Sequence, residues 1–140
     1  MSTAPDYIRQ AGAIPVRGGA VCLVTSSNGK RWVIPKGLID PGHTAGEAAL
    51  QEAWEEAGLV GLLGPEPVGS YRYAKWGGTC HVTVFLMRVT EVAEDWPERS
   101  VRQRRWVSVA EALQMLDDEG LRAVVRGAVA AGAPGAEGAP

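Results

Sequence analysis

Three glutamates, Glu52, Glu55 and Glu56, stand at i, i+3 and i+4 near the end of the run Gly37–Leu59, GLIDPGHTAGEAALQEAWEEAGL. The residues around them leave little choice but helix. Thr44 offers an N-cap oxygen, and Glu47 three residues later completes a capping box. Ala45 to Ala57 contains no proline and is built mainly of good helix formers. Gly58 is placed to end the helix as a C′ glycine. On that helix the three carboxylates crowd onto one face. Like charges at this spacing destabilise an isolated helix by roughly 0.2–0.5 kcal/mol per pair. Folding alone gives no reason to keep that repulsion, whereas a hard divalent cation relieves it by taking carboxylate oxygens as ligands. The plain alternative is a solvated acidic face with salt-bridge partners. The i±4 positions outside the cluster are Ala48, Gln51, Leu59 and Val60, so no basic partner is at hand locally. A metal-dependent enzyme that handles phosphate oxygens is the stronger reading.

The bulk of the chain sets bounds on this reading. Its 140 residues suggest one domain, spanning 1–130, with room for a real core. The tail AGAPGAEGAP, 131–140, is low in complexity and expected to be disordered. A net charge of −2 provides no basic field for nucleic acid. Hydrophobic residues reach 46%, yet no apolar run is long enough to span a membrane. MSTAPDYIRQ lacks the basic and apolar regions of a signal peptide. Cys22 and Cys80 lie in apolar, strand-like runs without CxxC spacing, as buried free thiols would. A cytoplasmic protein is therefore expected.

Elements follow from periodicity and punctuation. Residues 10–25 read as two β runs broken at Gly18-Gly19, and Arg31–Ile34 as a short strand closed by Pro35. Leu38–His43 reads as irregular loop. Ala49, Ala53 and Leu50 give the acidic helix a slim apolar stripe. Val68–Lys75 and Thr79–Val89 are strand-like, with Gly77-Gly78 as the turn between them. Glu91–Ser100 is a charged loop and Arg102–Val107 a further strand. Ser108 and Glu111 repeat the capping box and open a second helix through about Leu116. Leu121, Val124, Val125, Ala128 and Val129 mark a third helix. Strands on both sides of a helix, with two more helices at the end, predict a mixed α/β or α+β sandwich.

The spacing Gly37-x5-His43-x7-Gln51-Glu52-Ala53-x-Glu55-Glu56-x-Gly58-Leu59 resembles the Nudix box, usually G-x5-E-x7-R-E-U-x-E-E-x-G-U with U apolar. Trp32–Gly37, WVIPKG, is similar to the strand and turn before that box. HVTVFLMRVTEVAEDW, 81–96, and the following RRWVSVAEAL resemble the diphosphoinositol polyphosphate and diadenosine polyphosphate hydrolase branch. The resemblance covers roughly residues 10–117 and implies an α/β/α sandwich with a mixed sheet between helices. It also implies a hydrolase of pyrophosphate bonds using Mg²⁺, with Mn²⁺ as an alternative. Carried over residue by residue, Glu52 and Glu56 bind metal, the Gly37 carbonyl faces it, and Glu55 acts on water beside Glu52. Relatives in the family are often dimers, so a homodimer is a possible partner state beside the small phosphorylated substrate.

Two polar positions depart from the box: His43 stands for Glu and Gln51 for Arg. In the family those two are linked, and the Arg helps orient the first carboxylate of the cluster. Replaced together, they leave no stranded charge. A neutral His43–Gln51 hydrogen bond could keep the loop docked. His43 could equally be a plain exposed loop residue, or a metal ligand, although Mg²⁺ favours oxygen. Loss of the Arg predicts raised carboxylate pKa values and pH-dependent metal binding. For substrate phosphates, Arg17, Lys36, Arg72 and His81 are the candidates, Lys36 first because it adjoins Gly37. Lys30, Arg31, Lys75, Arg99, Arg102, Arg104 and Arg105 complete the basic set. Glu98 is a guess for an acidic residue outside the box, and Tyr73, Trp76 and Trp96 could stack on a base or simply pack.

Overall fold

The computed structural model describes residues 7–130. The tail 131–140 lies outside the described residues. The chain runs β1 (Tyr7–Arg17), β2 (Ala20–Thr25), β3 (Trp32–Val33), β4 (Lys36–Leu38), α1 (Ala45–Ala57), β5 (Leu59–Leu63), β6 (Gly69–Lys75), β7 (Gly78–Val92), β8 (Arg104–Ser108), α2 (Val109–Met115) and α3 (Glu119–Ala130). Eight strands form one mixed sheet in the order β3-β2-β1-β7-β5, with β4 beside β1, β6 beside β7 and β8 beside β2. The long pair β1 and β7 is parallel, and every other pair is antiparallel.

Strand alternation sorts the side chains into two cores. Ile14, Val16, Val21, Leu23, Val82 and Val84 face α2 and α3. Ala13, Cys22, Val24 and Met87 face Ala53 and Ala57 of α1, while Ala11 and Phe85 meet its Ala48 and Ala49. The helix face is all alanine, which lets α1 lie close on the sheet. Leu50 does not join it and is exposed. Both cysteines are free and buried, and burial pushes the Cys22 thiol up to about 12.

Three features depart from the sequence expectation. Lys36–Leu38, expected to be turn and loop, pairs with Gln10–Gly12 as β4. Leu59–Leu63 pairs with β7 despite its glycine, because a bulge at Val60/Gly61 brings backbone so close to Arg88 that a Cβ at 61 would overlap it. The β6–β7 turn is Trp76-Gly77 rather than Gly77-Gly78, since Lys75 already pairs with Gly78. Both turn residues have positive φ, 54° and 71°, as a two-residue hairpin of type I′ requires.

Candidate active site

α1 begins as its sequence dictates. The Thr44 hydroxyl accepts from the Glu47 N–H and the Glu47 carboxylate accepts from the Thr44 N–H, at 3.1 and 2.8 Å. Gly58 closes it with φ 67°. No basic side chain lies in the last turn of α1. The loop after β7 and the start of β8 supply what is missing. The Trp96 indole N–H donates to the Glu56 carbonyl at 3.0 Å, Arg104 Nη1 to the Ala57 carbonyl at 2.8 Å, and the Glu98 N–H to the Glu55 carbonyl at 3.0 Å. Arg104 also lies 4.1 Å over the Trp96 ring. Three donors, one of them the cation Arg104, thus sit at the negative end of the helix that carries the acidic cluster.

The cluster opens on a cleft of about 580 Å³, within the usual range of small-ligand sites. Glu52, Glu55 and Glu56 line it together with Gly37, Lys36 and Gln51. Glu56 is buried and held by both oxygens: the Lys36 N–H donates to Oε1 at 3.3 Å, and Arg102 Nη2 lies 3.3 Å from Oε2. The Glu52 and Glu56 carboxyls lie within hydrogen-bonding reach of each other. Gly37 presses on Glu52 so closely that a Cβ there would overlap the carboxyl group. Glu55 is half-buried, and its Oε2 accepts from the Gln51 amide at 2.7 Å.

Burial pushes the Glu56 carboxyl up to about 8, with Arg102 opposing and Glu52 adding to the rise. Glu52 is raised as well, first by burial, while a hydrogen bond from Glu56 opposes and Glu55 adds. The expected rise is present, but burial is its first cause rather than a missing arginine. Lys36 is lowered by burial, Glu56 opposing; its Nζ lies 5.1 Å from the Tyr73 ring centre. The Tyr73 hydroxyl donates to buried Gln10 at 2.7 Å.

Two carboxyls that repel when ionised, that of Glu52 pressed against the β4 backbone at Gly37, fit a hard cation. Among the described residues no group of three or more His, Cys, Asp or Glu side chains could hold a metal ion on its own.

Other sequence candidates are placed unevenly. Lys36, Arg31, Lys75 and Arg102 line the cleft. Arg17 does not: it pairs with Ala20 at the β1–β2 hairpin, about 17 Å by strand rise from the Thr25 end of β2 that borders the cleft. Arg72 and His81 pair across β6 and β7 and gather around Tyr7, Arg72 at 4.7 Å from its ring centre and His81 at 5.8 Å. Neither lines the cleft. His43 is exposed, and Gln51 bonds Glu55 instead of His43. The glutamates have no basic partner on their own helix, but Arg102 reaches Glu56 from the loop after β7. The sequence suggests one strand over Arg102–Val107, whereas β8 begins at Arg104. It gives no sign that Arg102 and Arg104 both turn toward α1.

Comparisons with known proteins place the chain in a family and a fold. The family model of the NUDIX domain matches residues 6–127. Nudix hydrolase 12, mitochondrial, of Arabidopsis thaliana is 41% identical over 103 residues, covering 68% of this chain and 51% of that protein. Diphosphoinositol polyphosphate phosphohydrolase 3-beta of Bos taurus is 39% identical over 105 residues, covering 71% and 62%. The chain spans about half the length of the first of these relatives. An Ap4A hydrolase of C. elegans has the same fold, with a TM-score of 0.76, 21% identity, and coverage of 91% of this chain and 100% of that one.

Proposed function

The chain belongs to the NUDIX domain family, and from that premise we propose that it is a metal-dependent hydrolase cleaving a pyrophosphate bond in a nucleoside-diphosphate-linked or polyphosphate compound. The observation that carries this reading is the cluster itself: Glu52 lies against Gly37 with Glu56 in reach of it, while Glu55 lines the same cleft as Lys36, Lys75 and Arg31. Glu52, Glu56 and the Gly37 carbonyl would hold Mg²⁺ or Mn²⁺. A bound ion neutralises pyrophosphate charge and lowers the pKa of attacking water. Glu55 would take a proton from the attacking water, with Glu52 beside it and the Gln51 amide bonded to its Oε2. Lys36 and its cationic neighbours hold phosphate oxygens. Diadenosine polyphosphates and diphosphoinositol polyphosphates are the favoured substrates, supported by the names of relatives and neighbours. The substrate is a small molecule, not nucleic acid, consistent with a net charge of −2. The free buried thiols support a reducing compartment, proposed as the cytoplasm, though some relatives carry organelle names. No helix among the described residues is long and apolar enough to cross a membrane.

One observation favours a second reading, a nucleotide-binding module without catalysis: Gln51 occupies an oxygen of the proposed base. A panel of pyrophosphate-containing compounds with Mg²⁺ and Mn²⁺ separates the two. Hydrolysis of at least one compound supports the enzyme. Tight nucleotide binding with no product from any compound, in folded protein, supports the module.

A further inference from the structure

Arg102 lies in the loop between β7 and β8, and its guanidinium serves three acceptors. Nε donates to Glu98 Oε1 at 2.6 Å, Nη1 to the Thr25 carbonyl at 2.8 Å, and Nη2 lies 3.3 Å from Glu56 Oε2. Its side chain is only 13% exposed. The first two contacts come from outside the acidic cluster: Thr25 closes β2, and Glu98 belongs to the loop that caps α1. A planar fork fixed by two bonds has little freedom left in its remaining N–H groups. The third contact is therefore aimed at Glu56 by the scaffold rather than by Glu56 itself. Among the described residues no other Lys or Arg forms an ion pair with Glu52, Glu55 or Glu56.

Glu56 is gripped from two sides. A carboxylate has about four acceptor positions. The Lys36 backbone N–H occupies one on Oε1, and the Arg102 guanidinium lies against Oε2 as an ion pair. Those two grips fix the rotation of the carboxylate, so its free acceptor positions keep one direction. We propose that Arg102 is a positioning residue for Glu56, holding that carboxylate in the orientation from which it binds a divalent cation. The inference rests on the metal-binding role proposed for Glu56.

Binding of Mn²⁺ to metal-free protein, followed by the electron paramagnetic resonance signal of free Mn²⁺, tests this without turnover. Wild type binds Mn²⁺ and Glu56→Gln loses that binding. Arg102→Met weakens it about tenfold or more, as removal of a group that orients a metal ligand does. Arg102→Lys keeps the charge, gives up the fork, and also weakens binding several-fold. It carries the test if the Met variant fails to fold, with circular dichroism checking both well below their melting temperatures. Wild-type affinity in either folded variant overturns the proposal. Tighter binding overturns it too, because the guanidinium would then merely fill the place of the cation. If Glu56→Gln binds Mn²⁺ as wild type does, the metal role of Glu56 fails, and the proposal falls with it.

Discussion

Trp76 is a residue whose backbone and side chain pull in different directions. It holds φ at 54°, where a bulky side chain is strained, and leaves its ring 61% exposed at the rim of the cleft with Lys75 Nζ 4.5 Å from the ring centre. Strain kept at a cleft points to a ligand contact. Asn tolerates this conformation and favours the turn before glycine. Trp76→Asn is expected to raise stability by about 0.5–1 kcal/mol in denaturant melts. It is also expected to weaken binding of a nucleoside-containing substrate while sparing a diphosphoinositol polyphosphate. Glu56 makes a second prediction at this scale. An ordinary glutamate titrates near 4.5, and folding moves this one to about 8. Between those values the folded chain keeps a proton that the unfolded chain has released. The stability contributed by the protonated form is complete below pH 4.5 and is lost as pH rises through 8. The melting temperature of metal-free protein should therefore fall from pH 5 to 8 relative to that of Glu56→Gln. A melting curve of the variant as steep with pH as that of wild type would refute the assignment.

At the scale of elements, α1 shows which half of a helix a sequence can announce. Its start was legible because Thr44 and Glu47 close a capping box within one turn. Its end was only half legible. Gly58 was evident, but Arg104, 47 residues beyond Ala57, and Trp96, 40 beyond Glu56, come from a strand and loop whose direction no local pattern records. The same limit hid Arg102 and gave undue weight to Arg17, a basic residue near a strand end that proved to be the wrong end. Arg104→Ala removes a hydrogen bond to a helix-end carbonyl and a stacked cation, and should lower stability by about 1–3 kcal/mol in thermal or denaturant melts. Gly37→Ala tests the contact between loop and helix. Its methyl group displaces the Glu52 carboxyl, so turnover should fall steeply in a protein that still melts cooperatively.

In the whole molecule, one sheet separates two cores, and α1 rests on its own face of the sheet through four alanines. The fold class was legible because β1, β2 and β7 carry apolar runs buried on both faces of the sheet, and three helices carry clear signals. β4 and β5 were not, being short, glycine-bearing segments whose strand character comes from their long partners β1 and β7. The site lies where β4 brings Lys36 and Gly37 against the acidic half of α1, so its residue types could be read in advance but not its supporting contacts. The central claim is that this junction, loaded with a divalent ion, cleaves a pyrophosphate bond with Glu55 as base. Phosphate release from a dinucleoside polyphosphate by EDTA-stripped protein, measured as Mn²⁺ is added, with Glu55→Gln beside wild type, tests it most directly. The account predicts no release without metal, saturable release in wild type, and a rate at least about a hundredfold lower in Glu55→Gln. Release that needs no metal, or an undiminished rate in Glu55→Gln, would contradict it.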